Sequence, residues 1–229
     1  MKKLIKLIIL IIISLSVYFI YYKTNNSKYI ITSIGDKLSM GINSFGVKEK
    51  SYIDYYKEYL EQEKQQVIVN KKYTSKTQSI KQTVLQLKNI PEFKRTISDS
   101  NLIIITLGYN DILYGLSIEE KYNSNSVNKI VENTTTNYNE LIKEIKKYYH
   151  NDIYVIGYYQ SKKGNEYINE AIIQLNKYLK ENKDIVYINT YDLFNNDKDL
   201  RSNPDSYYPN NKGYKQISEK IISKSLEIL

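Results

Sequence analysis

The sequence predicts an α/β fold, a three-layer α/β/α sandwich around a five-stranded parallel sheet, preceded by one N-terminal transmembrane helix. Two observations predict the sandwich. Five short β-rich runs alternate with longer segments in which apolar residues recur at i, i+3 and i+4. The runs, such as Leu102-Ile103-Ile104-Ile105, are continuous rather than alternating, as strands covered on both faces are. A third observation predicts the membrane helix: three lysines lead into a long uncharged stretch.

That stretch comes first. Lys2, Lys3 and Lys6 precede an uncharged run from Leu7 to Tyr22. As a helix it spans about 24 Å, against a hydrocarbon core of about 30 Å. Leu4 and Ile5 extend it, because Lys6 reaches back to the interface. Tyr18, Tyr21 and Tyr22 sit where an aromatic belt belongs, and the leading lysines place the following chain outside the membrane. The run ends without the small residues of a signal-peptidase site, which favours an uncleaved anchor over a secreted, processed form. Residues 1–28 are therefore read as anchor and short stalk, and 29–229 as one globular domain.

Within the domain the expected strands are Tyr29–Ser33, Gln66–Asn70, Leu102–Leu107, Ile153–Tyr158 and Ile185–Ile188. The periodic segments are Ser51–Glu63, Thr77–Ile90, Val127–Tyr149, Gly164–Asn182 and Lys212–Leu229. The second of these puts Ile80, Val84 and Leu87 on one face; the last does the same with Ile217, Ile221 and Leu226. Crossovers between the strands should be right-handed.

Composition excludes several function classes. The chain has no cysteine, so it has no disulfide framework, thiolate metal site or Cys nucleophile. Its one histidine, His150, precludes a His-rich metal site. No cofactor and no metal are expected; the acid- and amide-rich stretch Asn195–Asp199 reads as a solvated loop, since an EF-hand's glycine and closing glutamate are missing. The net charge is +8, but residues 1–28 hold five lysines and no acid, leaving +3 for the other 201 residues. Those lysines are interleaved with acids, so no nucleic-acid footprint is expected.

Ligands of parallel sheets bind beyond the carboxyl ends of the strands. The first strand is followed by Gly35-Asp36-Lys37-Leu38-Ser39-Met40-Gly41, and the third by Gly108-Tyr109-Asn110-Asp111. Asp205-Ser206-Tyr207-Tyr208-Pro209-Asn210 precedes the last helix. Taken singly, Asp36 reads as a helix N-cap, Asn110-Asp111 as a turn or cap, and Asp205 as a turn initiator.

In this order, the blocks resemble the SGNH, or GDSL, hydrolases, whose sandwich is flavodoxin-like. That family carries Gly-Asp-Ser after the first strand, a glycine after the second, Gly-x-Asn-Asp after the third and Asp-x-x-His-Pro before the last helix. Gly35-Asp36 matches the first block, Gly108-Tyr109-Asn110-Asp111 the third, and Asp205 with Pro209 and Asn210 the last. The resemblance covers residues 29–229 and implies ester or acyl hydrolysis on lipids or carbohydrates. Lys37 stands where the resemblance expects the serine, Tyr208 where it expects the histidine, and Ser75 where it expects the second-block glycine. Asp36, Lys37, Ser75, Gly108, Asn110, Asp205 and Tyr208 are thus the positions expected to line the pocket, with no intact catalytic set.

The serine mechanism needs a hydroxyl, a base and a carboxylate that orients the base. An amine at position 37 would form a stable amide, and a phenol is a poor base at neutral pH. Ser39 lies two residues on, about 200° around a helix, so its hydroxyl should point away from the pocket. His150 precedes the fourth strand, at the opposite edge of the sheet. The leading expectation is an inactive, membrane-anchored binding or accessory module. Its pocket of donors (Lys37, Asn110, Tyr208) would suit an acyl, carbohydrate or anionic ligand. The alternatives are an active esterase using a displaced serine, a structural partner of an active relative, and a nucleotide-binding module, the last disfavoured by the single glycine of Gly35-Asp36-Lys37.

Overall fold

The computed structural model describes residues 8–18, 28–63, 66–119, 123–160, 166–194, 200–202 and 207–228. Residues 8–18 form a helix, α1, whose apolar side chains, Leu10 and Leu15 among them, are exposed. Among the described residues no helix is long and apolar enough to cross a membrane. The ends of the expected span, 7 and 19–22, lie outside the described residues, as do Asp205 and 195–199.

The domain runs β1 (Tyr29–Gly35), α2 (Lys37–Met40), α3 (Tyr52–Glu63), β2 (Val67–Thr74), α4 (Ile80–Asn89), α5 (Pro91–Ser98), β3 (Leu102–Thr106), α6 (Tyr109–Ser117), α7 (Ser124–Lys146), β4 (Ile153–Ile156), α8 (Glu166–Glu181), β5 (Val186–Ile188) and α9 (Asn211–Ile228). All five strands are parallel, in the order β2-β1-β3-β4-β5. The expected α/β architecture is present. The chain's winding reverses at β1, which pairs with both β2 and β3, so the crevice for a ligand lies beyond Gly35 and Thr106.

Burial follows the pattern that predicted it. All five residues of β3 and all four of β4 are buried, which only helices on both faces achieve. α3 packs on α9 on one side of the sheet, while α4, α6 and α8 pack around α7 on the other. Each isoleucine of β3 withdrawn from water contributes about 1.5–3 kcal/mol relative to exposure. β2 is an edge strand in which only Val67 and Tyr73 are buried, with Lys71 and Lys72 on it. It extends to Thr74, four residues past the sequence expectation, because an edge strand tolerates those lysines.

Three helices were not anticipated. α2 is a single turn, too short to show a period. α5 begins on Pro91, favoured at the first helical position because it has no N–H to leave unpaired. α6 starts directly on the Gly-Tyr-Asn-Asp block. His150 is exposed just before β4, at the amino edge of the sheet, away from the crevice.

Candidate active site

The crevice is built on a tight junction between β1 and α2. The backbone N–H of Asp36 donates to the Thr106 carbonyl at 3.1 Å, tying the ends of the two central strands. Gly35 allows this approach. A Cβ there would fall 2.1 Å from Ser39 Oγ and 2.9 Å from the Thr106 oxygen.

Asp36 is the N-cap of α2 and accepts from the Leu38 N–H at 2.9 Å. Its second oxygen accepts from the Tyr158 hydroxyl at 3.0 Å. Burial raises the carboxyl to about 6, opposed by those two hydrogen bonds.

Lys37 opens α2 and is half-buried. Its Nζ lies 5.0 Å from the centroid of the Tyr208 ring, within cation–π range. The structure thus brings together the two positions at which the resemblance expects nucleophile and base. Asp205 lies outside the described residues.

Ser39 is fully buried and shares a 2.9 Å hydrogen bond with the Tyr52 hydroxyl, which also pairs with Thr106 Oγ1. Desolvation raises the Tyr52 phenol well above its usual value, so it serves as a neutral hydrogen-bonding strut. Ser39 points into the core, as the helical geometry requires.

Gly108 takes φ +120, and a Cβ on it would meet Leu175 Cδ2 at 2.9 Å. It starts α6 and brings Asn110 and Asp111 to the strand end. Both amide hydrogens of Asn110 are taken, by the carbonyls of Gln78 at 2.9 Å and Lys76 at 3.2 Å. The side chain expected to donate to a ligand here secures the loop after β2 instead. Asp111 accepts from the Ile80 N–H at the head of α4, and burial raises its carboxyl to about 6. Ser75, partly exposed on the same loop, donates its N–H to the Gly35 carbonyl at 3.0 Å.

Tyrosines from the segments after the strands pack on one another near Lys37, a cluster that sequence reasoning did not assemble. Tyr207 stacks on Tyr109 at 4.2 Å and on Tyr159 at 4.8 Å, and meets Tyr208 edge-on. The Tyr159 hydroxyl donates to the Tyr207 carbonyl at 2.7 Å. Asn176 clamps the Tyr158 backbone through both its N–H and its carbonyl. Stacked aromatic pairs add about 0.5–1.5 kcal/mol each beyond area burial. Among the described residues no group of three or more His, Cys, Asp or Glu could hold a metal.

With this geometry in place, comparison with known proteins decides the family. The sequence profile described as "GDSL-like Lipase/Acylhydrolase" matches residues 31–221. The chain belongs to the GDSL-like lipase/acylhydrolase family. This GDSL-like chain is 28% identical over 202 residues to the spore germination lipase LipC of Bacillus licheniformis, covering 83% of this chain and 93% of that one. Among solved structures it is similar to the lipase Lip_vut3 from a goat rumen metagenome (TM-score 0.72, 22% identity, 86% of this chain and 97% of that chain). It is also similar to a catalytic mutant of Axe2, an acetylxylan esterase from Geobacillus stearothermophilus (TM-score 0.63, 13% identity, 86% and 93%). At these identities the two structures establish the GDSL-like fold.

Proposed function

We propose that this GDSL-like protein binds an acyl, carbohydrate or anionic ligand at the strand-end crevice without hydrolysing it by a serine mechanism. The observation that carries the reading is the Lys37–Tyr208 pair at the head of α2. An ammonium over a phenol ring offers charge and a hydrogen-bond donor, but neither the serine hydroxyl nor the imidazole base of the serine mechanism. The adjacent Ser39 is sealed beneath Gly35 and held by Tyr52, and the chain's single histidine lies at the other edge of the sheet. A carboxylate, a phosphate or the carbonyl of an acylated sugar fits such a donor site.

The placement that goes with this reading is at a membrane, with the GDSL-like domain outside. Support comes from the leading lysines, the uncharged run from Leu7 to Tyr22 and the exposed apolar surface of α1.

A second reading, acyl or ester hydrolysis by a displaced serine, is favoured by the printed activities of the relatives, a lipase and an acetylxylan esterase. Treating the full-length protein in detergent with a fluorophosphonate, followed by peptide mass spectrometry, separates the two. No labelled serine is the result expected of the binding module. A stoichiometrically labelled serine establishes the second reading instead.

A further inference from the structure

Directly after α2 the chain folds into a small hairpin. The Glu49 N–H donates to the Gly41 carbonyl at 2.7 Å, and Ile42 and Lys48 pair antiparallel. At its tip stand Phe45, 70% exposed, and Val47, 56% exposed. An exposed apolar side chain is ordinary by itself. The surroundings of this pair are not.

The tip has no backbone donor left over for water. Asn43 N–H donates to the Val47 carbonyl at 3.0 Å, and Gly46 N–H to the Asn43 carbonyl at 3.1 Å. The N–H groups of Phe45 and Val47 both donate to Asn43 Oδ1, at 2.9 and 3.0 Å. Ser44 N–H donates to Ser202 Oγ at 3.3 Å. Entry into a medium poor in water is costly for unpaired backbone donors, and this tip brings none.

The base of the hairpin is basic. Residues 37–48 and 206–218 hold Lys37, Lys48, Lys212 and Lys215 and no acid. Lys48, Lys212 and Lys215 are exposed. The Tyr214 hydroxyl donates to the Ile42 carbonyl at 2.9 Å, which fixes the first turn of α9, with its two lysines, against the hairpin. Glu49 is half-buried, and its carboxylate accepts from Asn43 Nδ2 at 2.7 Å. Apolar tips ringed by lysines complement an anionic lipid surface, where the rings and methyls enter and the ammoniums meet headgroups. A stable protein interface needs roughly 800 Å² per partner, more than two side chains offer.

We infer that the Phe45–Val47 hairpin is a membrane-contacting element that docks the domain on the anionic surface of the bilayer holding the chain. The inference rests on the anchor reading given above. Two side chains bind weakly alone, but a tether converts weak contact into an intramolecular event. Six residues separate Tyr22 from Tyr29 and span at most about 20 Å, comparable with the rise of β1. A domain held that close reaches the surface with its hairpin when the strands lie along the membrane. The docking also carries the strand-end crevice to the headgroups. Ile42 N–H donates to the Lys37 carbonyl at 3.1 Å, and Ser202, which holds Ser44, donates its N–H to the Tyr208 carbonyl at 3.0 Å.

The chain has no cysteine, so one introduced thiol takes an environment-sensitive fluorophore at a chosen position. The full-length protein is incorporated into vesicles of phosphatidylcholine with or without phosphatidylglycerol, carrying spin-labelled lipid as quencher. Labels at Phe45→Cys and Val47→Cys should shift to the blue and lose about half their emission in the anionic vesicles. A label at Ile173→Cys, exposed on α8, should do neither. High salt, Phe45→Asp beside the label at 47, and the double variant Lys212→Glu, Lys215→Glu should each reduce the quenching. All of these positions are exposed, and far-UV circular dichroism checks each fold. Incorporated protein whose labels at 45 and 47 report water overturns the inference and leaves the anchor standing. Equal quenching at 173 overturns it as well. Protein that fails to float with the vesicles overturns the anchor reading, and the docking with it.

Discussion

The ammonium of Lys37 lies 5.0 Å from the centre of the Tyr208 ring, joining the first turn after β1 to the segment that leads into α9. These residues are 171 positions apart, and no local spacing brings them together. The contact is partly exposed to solvent, so its contribution is about 0.5–1 kcal/mol. A double-mutant cycle with Lys37→Ala and Tyr208→Leu, measured by urea denaturation, should show a coupling of that size. Tyr208→Phe should keep it, since the ring face remains. A coupling of zero would mean that the pair is accidental.

The Gly35–Ser39 junction makes a second prediction. Gly35→Ala should destabilise the domain by about 2–4 kcal/mol, because the new methyl collides with Ser39 Oγ and the Thr106 carbonyl. Adding Ser39→Ala should recover less than half, since the backbone oxygen cannot withdraw. Full recovery in chemical denaturation would show that the Thr106 carbonyl yields and that β1 and β3 are not rigidly tied.

Two carboxyls with raised values make the third. Asp36 and Asp111 both sit at about 6, against an ordinary 3.8, through burial. A carboxyl raised on folding favours the native state while protonated. Its stabilisation is complete below about 4 and is lost as pH rises through about 6. These two groups should therefore make the domain more stable near pH 5 than near pH 7, by on the order of 1–2 kcal/mol in total after structural relaxation. In a pH series of denaturation midpoints, Asp36→Asn and Asp111→Asn should each flatten that limb. An unchanged slope in both variants would assign the dependence to other groups.

A buried hydroxyl supplies the fourth. Tyr138 is fully buried on α7 and donates to the Leu107 carbonyl at 2.6 Å, just before the turn at Gly108. Tyr138→Phe keeps the packing and leaves that carbonyl short of its donor, at about 1–2 kcal/mol. A thermal midpoint within error of the parent would show that water replaces the hydroxyl.

The sheet was legible because strands covered on both faces leave an unbroken apolar signature, seen most plainly in Leu102–Thr106. The long helices were legible because α4, α7 and α9 each bury one stripe. The single turn α2 was not, since four residues carry no period, and α6 was masked by the Gly-Tyr-Asn-Asp block that opens it. At the site, Asp36 and Lys37 were legible from their place after β1. The engagement of Asn110 with the Lys76 and Gln78 carbonyls was not, because it depends on how the loop after β2 folds back. Nor was the stack of Tyr109, Tyr159 and Tyr207, which three separate strand-end segments assemble.

The central claim is that the Lys37 and Tyr208 positions bind rather than hydrolyse. It is tested most directly by p-nitrophenyl acetate and butyrate turnover in the full-length protein beside the double replacement Lys37→Ser, Tyr208→His. The expected result is no turnover above buffer in the parent and measurable ester cleavage in the double variant. Turnover in the parent that disappears on fluorophosphonate treatment would contradict the claim and establish a serine hydrolase whose nucleophile lies elsewhere on the same scaffold.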